Sequence, residues 1–359
     1  MLRVFEAFAG YGSQSIALRN LGIEYEVVAI SEIDKYAIKA YEAIHGSVNN
    51  LGDICKIDPS DIPDHDLFTY SFPCQDLSVA GKQAGLGKGT RSGLLYECEK
   101  VIEIKKPKYL LLENVKNLVG KKFKPQFDEW LKHLEDLGYA NYWKVLNAKD
   151  YGAPQNRERV FVVSILGDHK PYKFADKIPL DKCIADILED EVDEKYYLSK
   201  EIQNRFKITN QNKNILGTTK PDFRTIGQRD LVYDKNGIMG ALVATDYKQP
   251  KQIAEINQLG MLDIKGNEQV RRVYGANGIS PTLNTMQGGN RQPKILEGLD
   301  YRIRKLTPRE CFRLMGMRDD DIDKIQATGI SNTQQYKMAG NSIVVNVLEA
   351  IFKNLFMEG

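Results

Sequence analysis

The chain has 359 residues, of which 42% are hydrophobic and 27% are charged, and its formal net charge is +2. This composition is typical of a globular protein with a buried core, and it excludes a disordered or collagen-like chain. The length suggests about two domains.

Targeting and cysteine signals point to a cytoplasmic protein. No stretch approaches the roughly 18 apolar residues of a membrane span, and the first residues run into a strand-like segment, so we expect no signal peptide and no membrane partner. Five cysteines without a C-x-x-C pair favour neither a disulfide framework nor a zinc site. Such usage is typical of a reducing compartment.

The first half alternates between strand and helix patterns. Strands alternating with helices indicate a mostly parallel sheet with helices on both faces. Strands are predicted over 2–8, 25–32, 66–72, 109–115 and 158–166, and helices over 14–22, 35–46 and near 127–138. After about residue 170 short β-like pieces and polar turns replace this rhythm, and helical patterns return at 307–316 and 342–356.

Positive charge is concentrated in one region of the chain. Residues 205–309 hold eighteen Lys and Arg against nine Asp and Glu, and the stretch just before them, 186–194, is strongly acidic. Such an imbalance fits either a solvated face or a module that binds a polyanion.

Unusual residues follow the predicted strands, at the edge where an open parallel sheet binds ligands. Gly10 and Gly12 after the first strand allow a tight turn and close approach to a ligand, although Ser15 breaks a full G-x-G-x-x-G pattern. Glu32 ends the second strand about 20 residues later, a spacing that suits a carboxylate on a ribose diol. Asp53 is a further candidate, for an adenine amino group.

Cys74 ends the third strand and Glu113 ends the fourth. A thiolate is a strong nucleophile but needs activation, and a carboxyl group in an apolar setting has a raised pKa and donates a proton. Together they suit conjugate addition to an electron-poor ring. An inert half-buried thiol is the alternative for Cys74, and the adjacent Pro73 and Gln75 and the loop behind them count against it.

Two arginines enter the last strand of this half. Arg157 and Arg159 are two residues apart, so in a strand both point to one side. Paired guanidinium groups suit a phosphate or a ring carbonyl. A salt-bridged edge strand is an equally good interpretation of the pair alone.

Seven motifs in order resemble those of the DNA (cytosine-5) methyltransferase family. They are FAGYGS (8–13), SEID (31–34), FPCQ (72–75), ENV (113–115), QNRER (155–159), RKLTPRECFRLMG (304–316) and QQYKMAGNS (334–342). The resemblance implies an α/β Rossmann-like methyltransferase fold with a smaller β-rich target-recognition domain. It implies a discontinuous catalytic domain, residues 1–173 plus 330–359, and a small domain, residues 174–329.

The resemblance also implies roles for individual residues. S-adenosylmethionine is the expected cofactor, and its pocket is expected to be lined by Phe8, Gly10, Gly12, Ser13, Glu32, Ile33, Asp53, Ile54, Pro73, Leu95, Asn341 and Ser342. The expected catalytic residues are Cys74, Glu113, Arg157 and Arg159, and the expected DNA contacts are Gln75, Ser78, Arg157 and Thr282. Three departures are Ile33, where relatives often have an aromatic ring, Ser71, where glycine is common, and Ala80, where some relatives have a polar residue.

The implied activity is methylation of C5 of a flipped cytosine in double-stranded DNA, through a covalent bond between Cys74 and C6 and without a metal. We expect a monomer with, in some hosts, a companion restriction endonuclease. Three alternatives remain. A DNA-binding protein without catalytic activity is disfavoured because both catalytic positions, Cys74 and Glu113, are filled. An RNA methyltransferase of the same superfamily is disfavoured by the long insert and by the lack of a Cys-Phe-Thr tripeptide. A nucleotide-binding oxidoreductase leaves Cys74, Glu113 and the arginine pair unexplained.

Overall fold

The computed structural model describes residues 1–73, 91–203, 207–212, 215–218, 230–235, 237–248, 250–256, 273–275, 294–296 and 301–358. Within them the helices are α1 (Ser13–Asn20), α2 (Lys35–His45), α3 (Leu95–Lys105), α4 (Lys124–Asp136), α5 (Lys200–Gln203), α6 (Pro308–Leu314), α7 (Asp319–Ala327), α8 (Asn332–Asn341) and α9 (Val345–Phe356). The strands are β1 (Leu2–Ala7), β2 (Tyr25–Ser31), β3 (Leu67–Tyr70), β4 (Tyr109–Val115), β5 (Tyr139–Asn147), β6 (Gln155–Asn156), β7 (Glu158–Leu166), β8 (Lys207–Asn212), β9 (Ile215–Thr218), β10 (Leu231–Asp234), β11 (Met239–Gly240), β12 (Gln252–Ile256), β13 (Val273–Gly275), β14 (Lys294–Leu296) and β15 (Tyr301–Lys305). No helix in these ranges is long and apolar enough to cross a membrane.

The central sheet has six strands in the order β2-β1-β3-β4-β7-β5. The first four are parallel, and β7 runs antiparallel to both β4 and β5. This confirms the predicted α/β class and the mostly parallel sheet. The sequence pattern missed α3 and β5. Strand β5 lies at the sheet edge with much of its length only half-buried, so it lacks the continuous apolar run of a central strand.

The core lies against both faces of this sheet. All four residues of β3 are buried, and five consecutive residues of β4, from Leu110 to Asn114, are buried as well. Each buried Leu or Phe contributes roughly 1.5–3 kcal/mol relative to an exposed one. The sheet is therefore a rigid support for the residues that follow its strands.

The chain divides into two compact units. The first contains Met1–Asp190, Ile238–Pro250 and Thr307–Gly359, and the second contains Glu191–Gly237 and Lys251–Leu306. In the second unit, β15, β12, β10, β9 and β8 form a five-stranded sheet in that order. The β-rich character expected of this region is thus present in its described residues.

The compact units do not follow the predicted domain boundaries. Residues 174–190 and 307–329, which we expected in the small domain, pack with the first unit. Asp321 is one reason, because its buried carboxylate accepts hydrogen bonds from Arg19 in α1. The assignment of a catalytic and a target-recognition domain stays a prediction.

Candidate active site

A cavity of about 330 Å³ lies in the first unit, at the carboxyl ends of β1, β2, β3 and β4. Its lining comes from each strand exit and from one distant segment near the end of the chain. The lining residues are Phe8–Tyr11, Ser13, Gln14, Ser31–Asp34, Ala37, Gly52–Ile54, Ser71–Pro73, Leu94, Glu113–Val115, Arg157, Arg159, Lys337, Met338 and Gly340–Ile343. The sheet therefore brings the strand-end residues together, as parallel strands require.

The turn after β1 has a backbone that few residues adopt. Phe8, Gly10 and Gly12 all have positive φ, at 57°, 59° and 82°. A non-glycine residue at positive φ is uncommon and is found disproportionately at ligand sites. Gly12 does not line the cavity. It precedes α1 and is glycine by necessity, because an added Cβ would lie 2.5 Å from Nε2 of His45 and 2.7 Å from the ring of Tyr41.

Glu32 lies at the exit of β2 with its carboxylate held by the backbone. The Gly10 N–H donates to one oxygen at 2.9 Å, and the N–H groups of Ile33 and Asp34 each donate to the other at 2.8 Å. A carboxylate oxygen has more than one acceptor site, so these bonds orient the group and leave capacity for a ligand. The preformed acceptor fits the two hydroxyls of a ribose.

Asp53, Ile54 and Ile33 lie at one end of the cavity. The Asp53 carboxylate accepts the Cys55 N–H at 3.1 Å, which holds an acceptor in place for an exocyclic amine. Ile54 is buried, and Ile33 is 73% exposed. Ile33, which stands where relatives often have an aromatic ring, therefore supplies an exposed aliphatic surface at the cavity rim. The carboxylate acceptors and these apolar side chains together fit an adenosine group.

Residues 337–343 form a second wall of the cavity. Ser342 Oγ accepts a hydrogen bond from the Tyr11 hydroxyl at 2.7 Å and donates to the Ala339 carbonyl at 2.9 Å. Burial raises the pKa of Tyr11 to about 12, so this hydroxyl keeps its proton. Lys337 Nζ contacts the Asp34 carboxylate at 2.7 Å across the cavity mouth.

Sequence reasoning missed Tyr11 and Lys337. Tyr11 stands between the two glycines of the first motif, and that position was the available signal. Lys337 lies inside the motif QQYKMAGNS (334–342), but nothing local indicated its partner, because Asp34 is 303 residues away.

Glu113 lies near the end of β4 as a buried carboxyl group beside Arg159. Oε1 of Glu113 lies 3.2 Å from Nε of Arg159. Burial raises the pKa of Glu113, and the charges of Arg159 and Arg157 oppose that rise. The net shift is upward, so this carboxyl group keeps its proton to higher pH than an exposed glutamate does. The neighbouring Asn114 donates to the Phe72 carbonyl at 3.1 Å and so fixes the exit of β3.

Arg157 has a different place from the one predicted. Its side chain lines the cavity wall but is 4% exposed, and its guanidinium group donates to the backbone carbonyls of Leu242, Gly340 and Ser342 at 2.6, 3.3 and 2.8 Å. A guanidinium group that is buried and bonded to three carbonyls is not presented to a DNA phosphate. The expected DNA contact through Arg157 is therefore not supported.

The other predicted site residues divide into three groups. Phe8, Gly10, Ser13, Glu32, Ile33, Asp53, Ile54, Pro73, Asn341 and Ser342 line the cavity together with Glu113 and Arg159. Leu95 does not: it is buried in the core, and its neighbour Leu94 lines the cavity instead. Cys74, Gln75, Ser78 and Thr282 lie outside the described residues.

Comparisons with known proteins identify the family of the chain. The family model of C-5 cytosine-specific DNA methylases matches residues 2–357. The type II methyltransferase M2.ScrFI of Lactococcus lactis subsp. cremoris is 39% identical, with 99% of each chain covered, and the orphan methyltransferase M.SPBetaI of Bacillus phage SPbeta is 33% identical, with 99% and 97% covered.

A third relative, M.HhaI of Haemophilus parahaemolyticus, a type II methyltransferase, is 32% identical over 99% of this chain and 94% of its own. Among solved structures, the Dnmt2 methyltransferase of S. pombe shares the fold, with a TM-score of 0.67, 20% identity, and 100% and 99% of the two chains covered. The chain therefore belongs to the C-5 cytosine-specific DNA methylase family, and it is a DNA (cytosine-5-)-methyltransferase with S-adenosylmethionine as its methyl donor.

Proposed function

We propose that this enzyme flips a target cytosine out of double-stranded DNA and methylates it at C5 through a covalent bond between Cys74 and C6. The observation that carries this mechanism is the buried Glu113 beside Arg159 on the cavity wall. Pro73, the residue before Cys74, lines the same cavity. The proton donor Glu113 and the residue that precedes the thiol, Pro73, thus lie at one site.

Residues lining the cavity would hold the cofactor. Glu32 would accept hydrogen bonds from the ribose hydroxyls, Asp53 would accept one from the adenine amino group, and Ile33 and Ile54 would contact the ring. When bound, S-adenosylmethionine supplies a methyl group on a sulfonium sulfur.

Cys74 and Glu113 carry the chemistry on the base. A stacked base is out of reach, so the cytosine leaves the stack at a cost of roughly a few kcal/mol. The Cys74 thiolate forms a bond to C6 as Glu113 gives its proton to N3, and the displaced electron pair makes C5 nucleophilic. After C5 is methylated, loss of the C5 proton expels the Cys74 thiolate, and the N3 proton returns to Glu113.

Arg159 positions Glu113 and contacts the ring carbonyl. Its guanidinium group lies 3.2 Å from the Glu113 carboxyl group and is mostly buried. Placed there it fixes the direction of the carboxyl group and retains donors for the base. The basic region 205–309 is proposed to read the target sequence, a task supported by its excess of positive charge.

The DNA substrate of the enzyme is established, whereas its oligomeric state and its protein partner are not. The family establishes DNA as the substrate. A monomeric state and a companion restriction endonuclease stay predictions, since the relatives include both type II and orphan enzymes. A cytoplasmic location also stays a prediction.

A covalent trap tests the mechanism. The full chain is incubated with S-adenosylmethionine and duplex DNA in which 5-fluorocytosine replaces cytosine, and then separated on denaturing gels. Fluorine cannot leave C5 as a cation, so release stalls and we expect a stable protein–DNA adduct. Glu113→Gln should slow trapping by about 10²–10⁴-fold, because N3 loses its proton donor.

Cysteine variants supply the controls. Cys74→Ala should abolish the adduct, and Cys55→Ala, which changes an exposed thiol, should leave it unchanged. An adduct peptide that maps to a cysteine other than Cys74 would contradict the mechanism. Adduct formation with tRNA but not with duplex DNA would favour the RNA enzyme instead.

A further inference from the structure

The segment 238–250 packs with the first unit, although the stretches before and after it in the chain belong to the second. Its strand β11 pairs in parallel with β6, with Met239 opposite Gln155 and Gly240 opposite Asn156. The Met239 N–H donates to the Pro154 carbonyl at 3.0 Å. Backbone hydrogen bonds therefore hold the segment against residues 154–156, which directly precede Arg157.

Gln155 ties the segment to a second element. It is fully buried, its Nε2 donates to the Leu314 carbonyl at 3.1 Å, and its Oε1 accepts the Leu242 N–H at 3.2 Å. A buried amide that uses both its donor and its acceptor fixes the elements that it joins.

Close backbone contact ties the segment to the second wall. A Cβ added to Gly340 would lie 2.3 Å from the carbonyl carbon of Val243 and 2.5 Å from the backbone N of Ala244. Glycine is therefore required where α8 meets the segment. None of the described residues of segment 238–250 lines the cavity, but Gly340 and Ser342 do.

Arg157 joins all of these parts. One nitrogen of its guanidinium group donates to the Leu242 carbonyl in the segment, and another donates to the Gly340 and Ser342 carbonyls in the cavity wall. Ser342 in turn accepts the Tyr11 hydroxyl, so this chain of bonds reaches the glycine turn on the other side. A planar guanidinium group with five donors suits such a junction, and a lysine ammonium does not.

With the function proposed above as its basis, we propose that Arg157 is a positioning residue for the second wall of the cavity, residues 337–343. Its hydrogen bonds hold this wall against segment 238–250. Arg157 then controls cofactor affinity through Gly340 and Ser342 and makes no DNA phosphate contact. Cofactor affinity accordingly depends on a segment that does not touch the cofactor.

The test measures cofactor and DNA binding separately in Arg157→Lys and Arg157→Gln. S-adenosylmethionine affinity is measured by isothermal titration calorimetry, and DNA affinity is measured at several salt concentrations. We expect cofactor affinity to fall by about tenfold or more in both variants, and the salt dependence of DNA binding to stay unchanged. A lost phosphate contact would lower the salt slope by about one unit, and that result with unchanged cofactor affinity would overturn the proposal.

A second variant keeps the test valid if Arg157 variants do not fold. Gln155→Met removes the bonds to Leu314 and Leu242 without touching the cavity, and it should weaken cofactor binding by about threefold or more. The matched control is Asn156→Ala, at an exposed neighbour bonded to Asn147, which should change neither affinity. Unchanged cofactor affinity in folded Gln155→Met would refute the role of segment 238–250. These binding measurements need no methyl transfer, so failure of the chemistry proposed for Cys74 would show up separately.

Discussion

The two walls of the cavity are built in different ways. The first wall consists of the turns that directly follow β1 and β2, residues 8–13 and 31–34, together with residues 52–54, and its key contacts join residues close in the chain, such as Glu32 with Ile33. The second wall, residues 337–343, lies some 300 residues further on and is held by Tyr11, Asp34 and Arg157. The first wall depends on local backbone geometry, and the second depends on tertiary contacts.

Two buried carboxylates show the same contrast between a nearby and a distant partner. Glu6 in β1 accepts a hydrogen bond at 2.8 Å from Ser15, nine residues away. Asp321 in α7, the helix before the second wall, pairs with Arg19. Glu6 has a hydroxyl partner and Asp321 has a cationic partner. Replacing each carboxylate by its neutral amide should therefore stabilise the protein at Glu6 and destabilise it at Asp321.

The largest expected effect comes from Gly12→Ala in the first wall. The new Cβ would contact the buried rings of His45 and Tyr41, and φ at this position is 82°. We expect a loss of about 2–4 kcal/mol in the free energy of unfolding. Cofactor affinity, measured by calorimetry, should fall by about tenfold or more, because the displaced turn carries Tyr11.

The matched control for this change is Gly22→Ala. Gly22 also has positive φ, at 69°, but an added Cβ meets nothing within 4 Å. This variant should lose only about 1 kcal/mol and keep its cofactor affinity. Equal loss of affinity in both variants would show that the crowding at Gly12 has no special role.

Asp321→Asn tests the contact between α7 and α1. The Asp321 side chain is fully buried and the Arg19 side chain is 35% exposed. Removing one partner of a fully buried pair costs several kcal/mol, and the exposure of Arg19 reduces this to about 1–3 kcal/mol. Chemical denaturation measures the loss, and an unchanged midpoint would mean that the pair does not hold α7 to α1. Asp320→Asn, at an exposed neighbour, is the control.

Glu6→Gln should have a smaller effect of the opposite sign. Burial raises the pKa of Glu6 from 4.5 to about 7. Between these pH values the folded protein keeps a proton that the unfolded chain releases, so stability falls as pH rises through this window and stays low above it. The neutral amide removes that penalty. We expect a gain of about 1–2 kcal/mol at pH 8 and little change at pH 5.

The measurement is the free energy of unfolding across this pH range. The control is Glu26→Gln, at an exposed position on β2, and its profile should follow that of the parent protein. A gain that is the same at pH 5 and pH 8 would mean that ionisation of Glu6 is not the cause.

The strand ends and the residues near them could be predicted from local patterns. Glu32 and Glu113 line the cavity, because Glu32 directly follows an apolar strand, Glu113 lies near the end of another, and parallel strands end at one edge. Their roles stay predictions. The same reasoning missed β5, whose edge position removes the apolar signal. The family resemblance implied Leu95, whereas its neighbour Leu94 lines the cavity, because a shift of one residue at a helix start changes which side chain points inward.

The composition of the second wall and the contacts of Arg157 depend on residues far apart in the chain, which no local pattern indicates. The spacing of Arg157 and Arg159 put both side chains on one side of a strand but did not distinguish a DNA contact from a structural one. The carbonyls that settle its direction belong to residues 85 and 183 positions away. A long side chain points where its partners lie, and partners that distant are brought close only by the packing of the whole unit.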